Sequence, residues 1–142
     1  MLRTSEAEWK GNLKAGGGKV KLGSGAFEGQ YSFGSRFESG KGTNPEELIA
    51  AAHSACFSMA LSVALEQAGH VADSVHTVAR VHLERDQTGF MIQKIELQTE
   101  VKAPGLTNDK LQELAKGAKE QCPLSRALAA VPSITLDAKL IS

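Results

Sequence analysis

Cys56 and Cys122 are the only two thiols in a chain of 142 residues. A thiol can ligate a metal, staple a fold, or cycle between reduced and oxidised states. Metal ligation is disfavoured, because neither cysteine has a second ligand at finger or ribbon spacing. The opening residues Met1-Leu2-Arg3-Thr4-Ser5-Glu6 turn polar at once and lack the apolar stretch of a secretory signal, so a cytosolic setting is expected. Thiols are kept reduced there, which disfavours a permanent staple. Two cysteines far apart in the chain are then either inert core thiols or a transient redox couple.

The neighbourhoods of the two differ. Cys56 lies within Ala51-Ala52-His53-Ser54-Ala55-Cys56-Phe57, where a lone cysteine reads first as a small core hydrophobe. Cys122 precedes Pro123 at a predicted helix start. Unpaired N–H groups and the positive end of the dipole favour thiolate there, so local context alone makes Cys122 the more acidic thiol. Arg36 stands between aromatics in Phe33-Gly34-Ser35-Arg36-Phe37-Glu38 and reads either as an exposed strand arginine with a packed stem or as a cation able to stabilise a thiolate. Glu46 and Glu47 fit the first turn of a helix, where acidic groups complement the dipole. His53, His70, His76 and His82 read as solvated or core histidines; His76 and His82 share a strand face but stand too far apart to hold one ion. No metal and no cofactor are expected.

These residues must be placed by the elements around them. The first forty residues, rich in Gly, Lys and Ser, suggest a meander of short antiparallel strands with a turn at Gly16-Gly17-Gly18. Thr43-Asn44-Pro45-Glu46-Glu47 then supplies an N-cap at Asn44, proline at the first helical position and glutamate at the third. The helix runs from Pro45 to Ala68, with Gly69 as its stop, and is about 35 Å long. It is apolar on every side and is expected to be buried all round. Its length would suit a membrane span, but Ala and Ser dominate it, His53 interrupts it and its caps are those of a soluble helix. Residues 75–83 and 95–101 alternate as a β-hairpin. Thr107 caps a second helix that runs to about Gln121, with Leu106 and Leu111 as a hydrophobic staple, and Cys122-Pro123 restarts it. Residues 134–140 form a closing strand. The class is α+β, with antiparallel sheets around a long central helix, in a single domain over residues 1–142. Lys+Arg and Asp+Glu number 16 each, so no electrostatic case exists for nucleic acid or an anionic membrane.

Arg36-Phe37, the run from Gly42-Thr43-Asn44-Pro45-Glu46-Glu47 through His53-Ser54-Ala55-Cys56-Phe57-Ser58, and Cys122-Pro123-Leu124-Ser125 resemble the two motif blocks of the OsmC/Ohr family. The order of elements matches from end to end. Phe33-Gly34-Ser35-Arg36-Phe37 is similar to the OsmC branch, whereas the Gly-rich N-terminal turn carries Lys19 where the Ohr branch has arginine. The resemblance implies an OsmC-like fold in an intertwined homodimer and a thiol-dependent peroxidase that prefers organic hydroperoxides. It implies Cys56 as the attacking thiolate, Cys122 as the resolving cysteine that closes a disulfide, Arg36 as the activating cation and Glu46 as its carboxylate partner. A dithiol reductant, such as a lipoylated protein, would complete the cycle.

Glu46 and Cys56 are ten residues apart on one helix, hence about 15 Å and about 80° around the axis. Holding Arg36 over Cys56 through Glu46 of the same chain is therefore difficult. Two such helices packed antiparallel about a two-fold axis would bring Glu46 of one chain nearer Cys56 of the other. The rival functions are a dimer binding a hydrophobic ligand and a structural stress-protective dimer, each with non-catalytic cysteines.

Overall fold

A computed structural model describes residues 1–141. The chain divides into two compact units, Met1–Leu48 and a second that takes up the rest.

In the first unit, β1 (Ser5–Lys10), β2 (Gly17–Leu22) and β3 (Glu28–Tyr31) form the expected antiparallel meander in the order β1-β2-β3. The first turn lies earlier than expected, at residues 11–16, and Gly17 and Gly18 are already in β2 opposite Lys10 and Trp9. Gly18 is there for close packing: a Cβ would stand 2.5 Å from the Tyr31 ring, which itself packs on Trp9 with centroids 5.4 Å apart. A second difference concerns Arg36, expected on a strand. It lies on the short helix α1 (Phe33–Phe37). Ser32 and Ser35 cap that helix reciprocally: the Ser35 N–H donates to Ser32 Oγ at 3.1 Å and the Ser32 N–H to Ser35 Oγ at 2.9 Å. Phe33 and Phe37, four residues apart, pack ring on ring at 5.0 Å.

Helix α2 (Pro45–Gln67) begins in the first unit and continues through the second. Asn44 Oδ1 accepts the Glu47 N–H at 2.8 Å, the cap anticipated from Asn-Pro-Glu-Glu. Gly69 ends the helix at φ +88°, and the His70 N–H returns to the Leu65 carbonyl at 2.8 Å. The expectation of burial on all sides is not met within the chain. His53, Phe57, Leu61 and Leu65, spaced by four, are fully buried, whereas Met59 is 71% exposed and Val63 49%.

The second unit adds β4 (Ser74–Asp86) and β5 (Gly89–Lys102), an antiparallel hairpin longer than the alternation suggested, with a bulge at His82/Leu83. The helix α3 (Asn108–Gln121) is capped by Thr107, whose Oγ accepts the Lys110 N–H at 3.2 Å. Leu106 and Leu111 are both buried, as a staple requires. After α4 (Pro123–Ala127), β6 (Ser133–Leu140) pairs with β5 in parallel, giving the order β4-β5-β6. A wholly antiparallel sheet is therefore incorrect for this unit. The α3–α4 crossover returns the chain to the start of β5, and such a helical crossover is what a parallel pair needs. Ile95, Leu97 and Val101 on β5 and Phe57, Leu61 and Leu65 on α2 belong to one core with Leu111 and Ala115 of α3.

Gly42 couples the strands of the first unit to the start of α2. It sits at φ +118°, and a Cβ there would lie 2.6 Å from the Gln30 carbonyl oxygen. Its conformation lets the Thr43 N–H donate to that same oxygen at 2.8 Å, forming a parallel bridge between Tyr31 and Thr43. Gly42→Ala is expected to destabilise the chain by about 1–3 kcal/mol, measured as a shift in the urea midpoint. An unchanged midpoint would show that this turn tolerates a side chain.

Candidate active site

The second unit brings together Cys56 and Cys122, which are 66 residues apart. Their sulfurs are 3.2 Å apart, with the Cys122 thiol donating to Cys56 Sγ, and both are free thiols. Disulfide formation needs an approach of only about 1 Å more. Cys56 is half-buried on α2, while Cys122 is fully buried between α3 and α4.

The start of α4 does not favour the thiol the sequence suggested. Cys122 is the N-cap, but its side chain caps no backbone donor, and its own N–H closes α3 on the Ala118 carbonyl at 2.8 Å. Pro123, at the first helical position, has no N–H. The next donor, the N–H of Leu124, favours the Cys56 thiolate. The helix start therefore serves the cysteine on the other helix. Burial still dominates and pushes the Cys56 thiol up from its ordinary value; the Leu124 N–H pulls against it, and the adjacent Cys122 adds to the rise. Two sulfurs this close do not both ionise at neutral pH, so within this unit the pair is poorly disposed to supply a thiolate unaided.

The first unit holds the cation. Arg36 grips Glu46 through Nε, 3.2 Å from both Oε1 and Oε2, and through Nη2, 2.7 Å from Oε1. This is a forked ion pair in which the carboxylate is the buried member and the guanidinium the more open one, with side chains 11% and 37% exposed. Glu47 is committed elsewhere, accepting from Thr43 Oγ1 at 2.6 Å. Ser35 Oγ donates to the Thr43 carbonyl at 2.6 Å and Asn44 Nδ2 to the Ser35 carbonyl at 3.0 Å, so α1 and the first turn of α2 are tied together beneath the pair. Of the two glutamates, Glu46 is the partner of Arg36.

Two polar arrangements of the second unit are not evident from the sequence. His53 Nε2 lies 2.8 Å from Ser125 Oγ, with His53 fully buried and its Nδ1 without a partner. Burial lowers the His53 pKa, so the ring is neutral. Core placement is one of the two readings the sequence allows for His53; its bond to the last residue of Cys-Pro-Leu-Ser is not apparent there, although both residues lie in the two motif blocks. Ser58 Oγ donates to Thr77 Oγ1 at 2.8 Å and Thr77 Oγ1 to Thr99 Oγ1 at 2.9 Å, a hydroxyl chain from α2 into the sheet. His82 pairs across strands with Glu96 at 2.7 Å and His70 lies 3.3 Å from the Pro104 carbonyl. Among the described residues, no three His, Cys, Asp or Glu side chains converge as metal ligands would.

Residues 38–137 match the model of the OsmC-like protein family. The chain is similar to Peroxiredoxin OsmC of Escherichia coli, 47% identical over 141 residues that span 99% of this chain and 97% of that protein. It is also similar to the organic hydroperoxide resistance protein OhrB of Bacillus subtilis, 35% identical over 69% of this chain and 71% of that one. The crystal structure of that OhrB superposes with a TM-score of 0.70 at 26% identity, covering 97% of this chain and 98% of the other. An organic hydroperoxide resistance protein OsmC from Legionella pneumophila shares the fold at a TM-score of 0.76 and 24% identity, over 100% and 99% of the two chains.

The buried neutral His53 makes stability depend on pH. Its folded pKa is below the ordinary 6.5, so the unfolded chain binds the extra proton first. Its contribution is complete above about pH 6.5 and is lost as pH falls from there towards the folded value. Thermal melts from pH 7.5 to 5 should show a declining midpoint whose slope is shallower in His53→Gln. Equal slopes in the two proteins would mean that His53 does not titrate on unfolding.

Proposed function

The chain belongs to the OsmC family, and from that premise we propose that it is a cysteine-based peroxidase for organic hydroperoxides. The observation that carries this is the pair of free sulfurs 3.2 Å apart on α2 and at the head of α4. A binding protein has no need of two thiols within reach of a disulfide, and the two relatives quoted above bear the names of a peroxiredoxin and an organic hydroperoxide resistance protein.

Cys56 attacks as thiolate. Its sulfur takes the distal peroxide oxygen, the O–O bond breaks, and the alkoxide leaves and is protonated to the alcohol while Cys56 becomes a sulfenic acid. Cys122 condenses with the sulfenic acid, forming the Cys56–Cys122 disulfide and releasing water. An external dithiol, a lipoylated protein being one candidate, restores both thiols by exchange and leaves as its own disulfide. Half-burial of Cys56 beside Phe57 suits an alkyl tail better than hydrogen peroxide. Since burial raises the Cys56 thiol, a cation must offset it, and Arg36, oriented by Glu46, is assigned that role.

The active form is a homodimer in which each site takes Cys56 and Cys122 from one chain and Arg36 with Glu46 from the other. The helical separation of Glu46 and Cys56, about 15 Å, supports this division. So does the exposed apolar side of α2 at Met59 and Val63, which a second copy would cover. Among the described residues α2 is the one helix long and apolar enough to cross a membrane. Its N-cap, the Ser58–Thr77–Thr99 chain and the buried His53 suit a protein partner better than lipid, and the cytosol supplies the reducing dithiol.

One equivalent of cumene hydroperoxide should remove two thiols and two mass units from the wild type. Cys56→Ser should not react, and Cys122→Ser should accumulate a sulfenic acid. Retention of both thiols in the wild type would favour a binding or structural role. Arg36→Ala should lower kcat/KM by about 10²–10³-fold. Mixing Cys56→Ser and Arg36→Ala chains should restore one intact site per mixed dimer; background activity in the mixture would return Arg36 to its own chain's site.

A further inference from the structure

Helix α4 is five residues long, too short to be stable by itself, yet it fixes the position of Cys122. Among the described residues two polar side-chain contacts join it to α2. One is the sulfur pair. The other is His53 Nε2 to Ser125 Oγ at 2.8 Å. Their spacing is regular: His53 precedes Cys56 by three residues on α2, and Ser125 follows Cys122 by three on α4. The second contact is therefore displaced from the first by about one helical turn, roughly 5 Å, on both elements.

His53 is costly at this place. It is fully buried and neutral, and Nδ1 has no hydrogen-bond partner in either tautomer. A leucine or phenylalanine would fill the same core without an orphaned nitrogen. What an apolar side chain cannot do is fix one hydroxyl, and through it one rotation of the α4 turn. Ser125 is itself 9% exposed, so water does not offer it an easy alternative partner.

We propose that the buried His53–Ser125 hydrogen bond is a latch that positions Cys122 for disulfide closure on Cys56. The proposal rests on the peroxidase reading for its role in turnover, although the latch itself can be measured without peroxide. While both sulfurs are reduced, no covalent bond holds α4 to α2. The latch keeps the effective concentration of Cys122 at Cys56 high by limiting the freedom of the short helix. His53 and Ser125 are thus positioning residues and touch no reacting atom.

The test has two arms. Without peroxide, wild type, Ser125→Ala, His53→Phe and His53→Gln are equilibrated with reduced and oxidised dithiothreitol, and the disulfide fraction is read by alkylation and intact mass. Ser125→Ala and His53→Phe should lower the effective concentration of the thiol pair about tenfold. His53→Gln, whose amide can reach the place of Nε2, should stay within about threefold of wild type. With cumene hydroperoxide, the ratio of the disulfide rate to the sulfenic-acid rate should fall by a similar factor in the first two variants, with sulfenic acid trapped by dimedone. Wild-type values for Ser125→Ala in the dithiothreitol arm would overturn the latch. Should Ser125→Ala fail to fold, His53→Phe against His53→Gln makes the same comparison, and equality of those two would overturn it as well. If the wild type ignores cumene hydroperoxide, the peroxidase reading fails while the first arm still decides the latch.

Discussion

A sulfur carried on an apolar helix is a poor thiolate, and this constraint organises the chemistry of the chain. Burial raises the Cys56 thiol, and α2 has no charged residue between Glu47 and Glu66 to offset it. The remedies all come from elsewhere in the sequence. One is the Leu124 N–H at the start of α4, made available because Pro123 leaves that turn without an earlier donor. Cys122 is held close enough to react, but as a neighbouring sulfur it works against ionisation of Cys56. On the proposed reading a cation supplies what is missing, and an arginine already held by a carboxylate is the group assigned to do so.

Most of what positions that arginine is local in sequence. Ser32 and Ser35 cap α1 in both directions, and Ser35, Thr43 and Asn44 lock α1 to the first turn of α2. Glu47 is occupied by Thr43, leaving Glu46 to meet Arg36. The ion pair is thus set by short-range bonds within residues 32–47. The thiol pair depends instead on long-range packing of α2, α3 and α4 around Phe57, Leu61, Leu111 and Ala118. A core substitution is expected to disturb the sulfurs before it disturbs the ion pair, because different parts of the chain hold them.

The same distinction explains what could be read in advance. Asn44-Pro45, Gly69 and Thr107 marked helix ends correctly because capping is a contact between residues a few positions apart. The helix carrying Arg36 is not legible in the sequence because five residues are too few to show a helical period, and its serines fit a strand or loop equally well. The alternation at residues 134–140 located β6 but not its direction, since parallel and antiparallel strands share a period of two. Local context could place Cys122 at a helix start but could not show that the next N–H favours the other thiolate. His53 and Ser125 were each unremarkable alone; only the approach of α4 to α2 makes them partners.

On the proposed reading, Glu46 has two opposed effects on Arg36. It neutralises part of the charge that should stabilise a thiolate, and it fixes the guanidinium plane. The forked contact uses Nε and Nη2. The N–H groups on Nη1 take no part in that pair, so a guanidinium held in this way can still donate to a thiolate or a peroxide oxygen. In an apolar site a directed donor loses less to reorganisation than a free cation that must first be desolvated and oriented. Because Glu46 is the buried member of the pair, a lone Glu46→Gln change would leave Arg36 freer in charge and looser in direction. Orientation is then the property that the first unit contributes, and a lysine at position 36 would supply the charge without it.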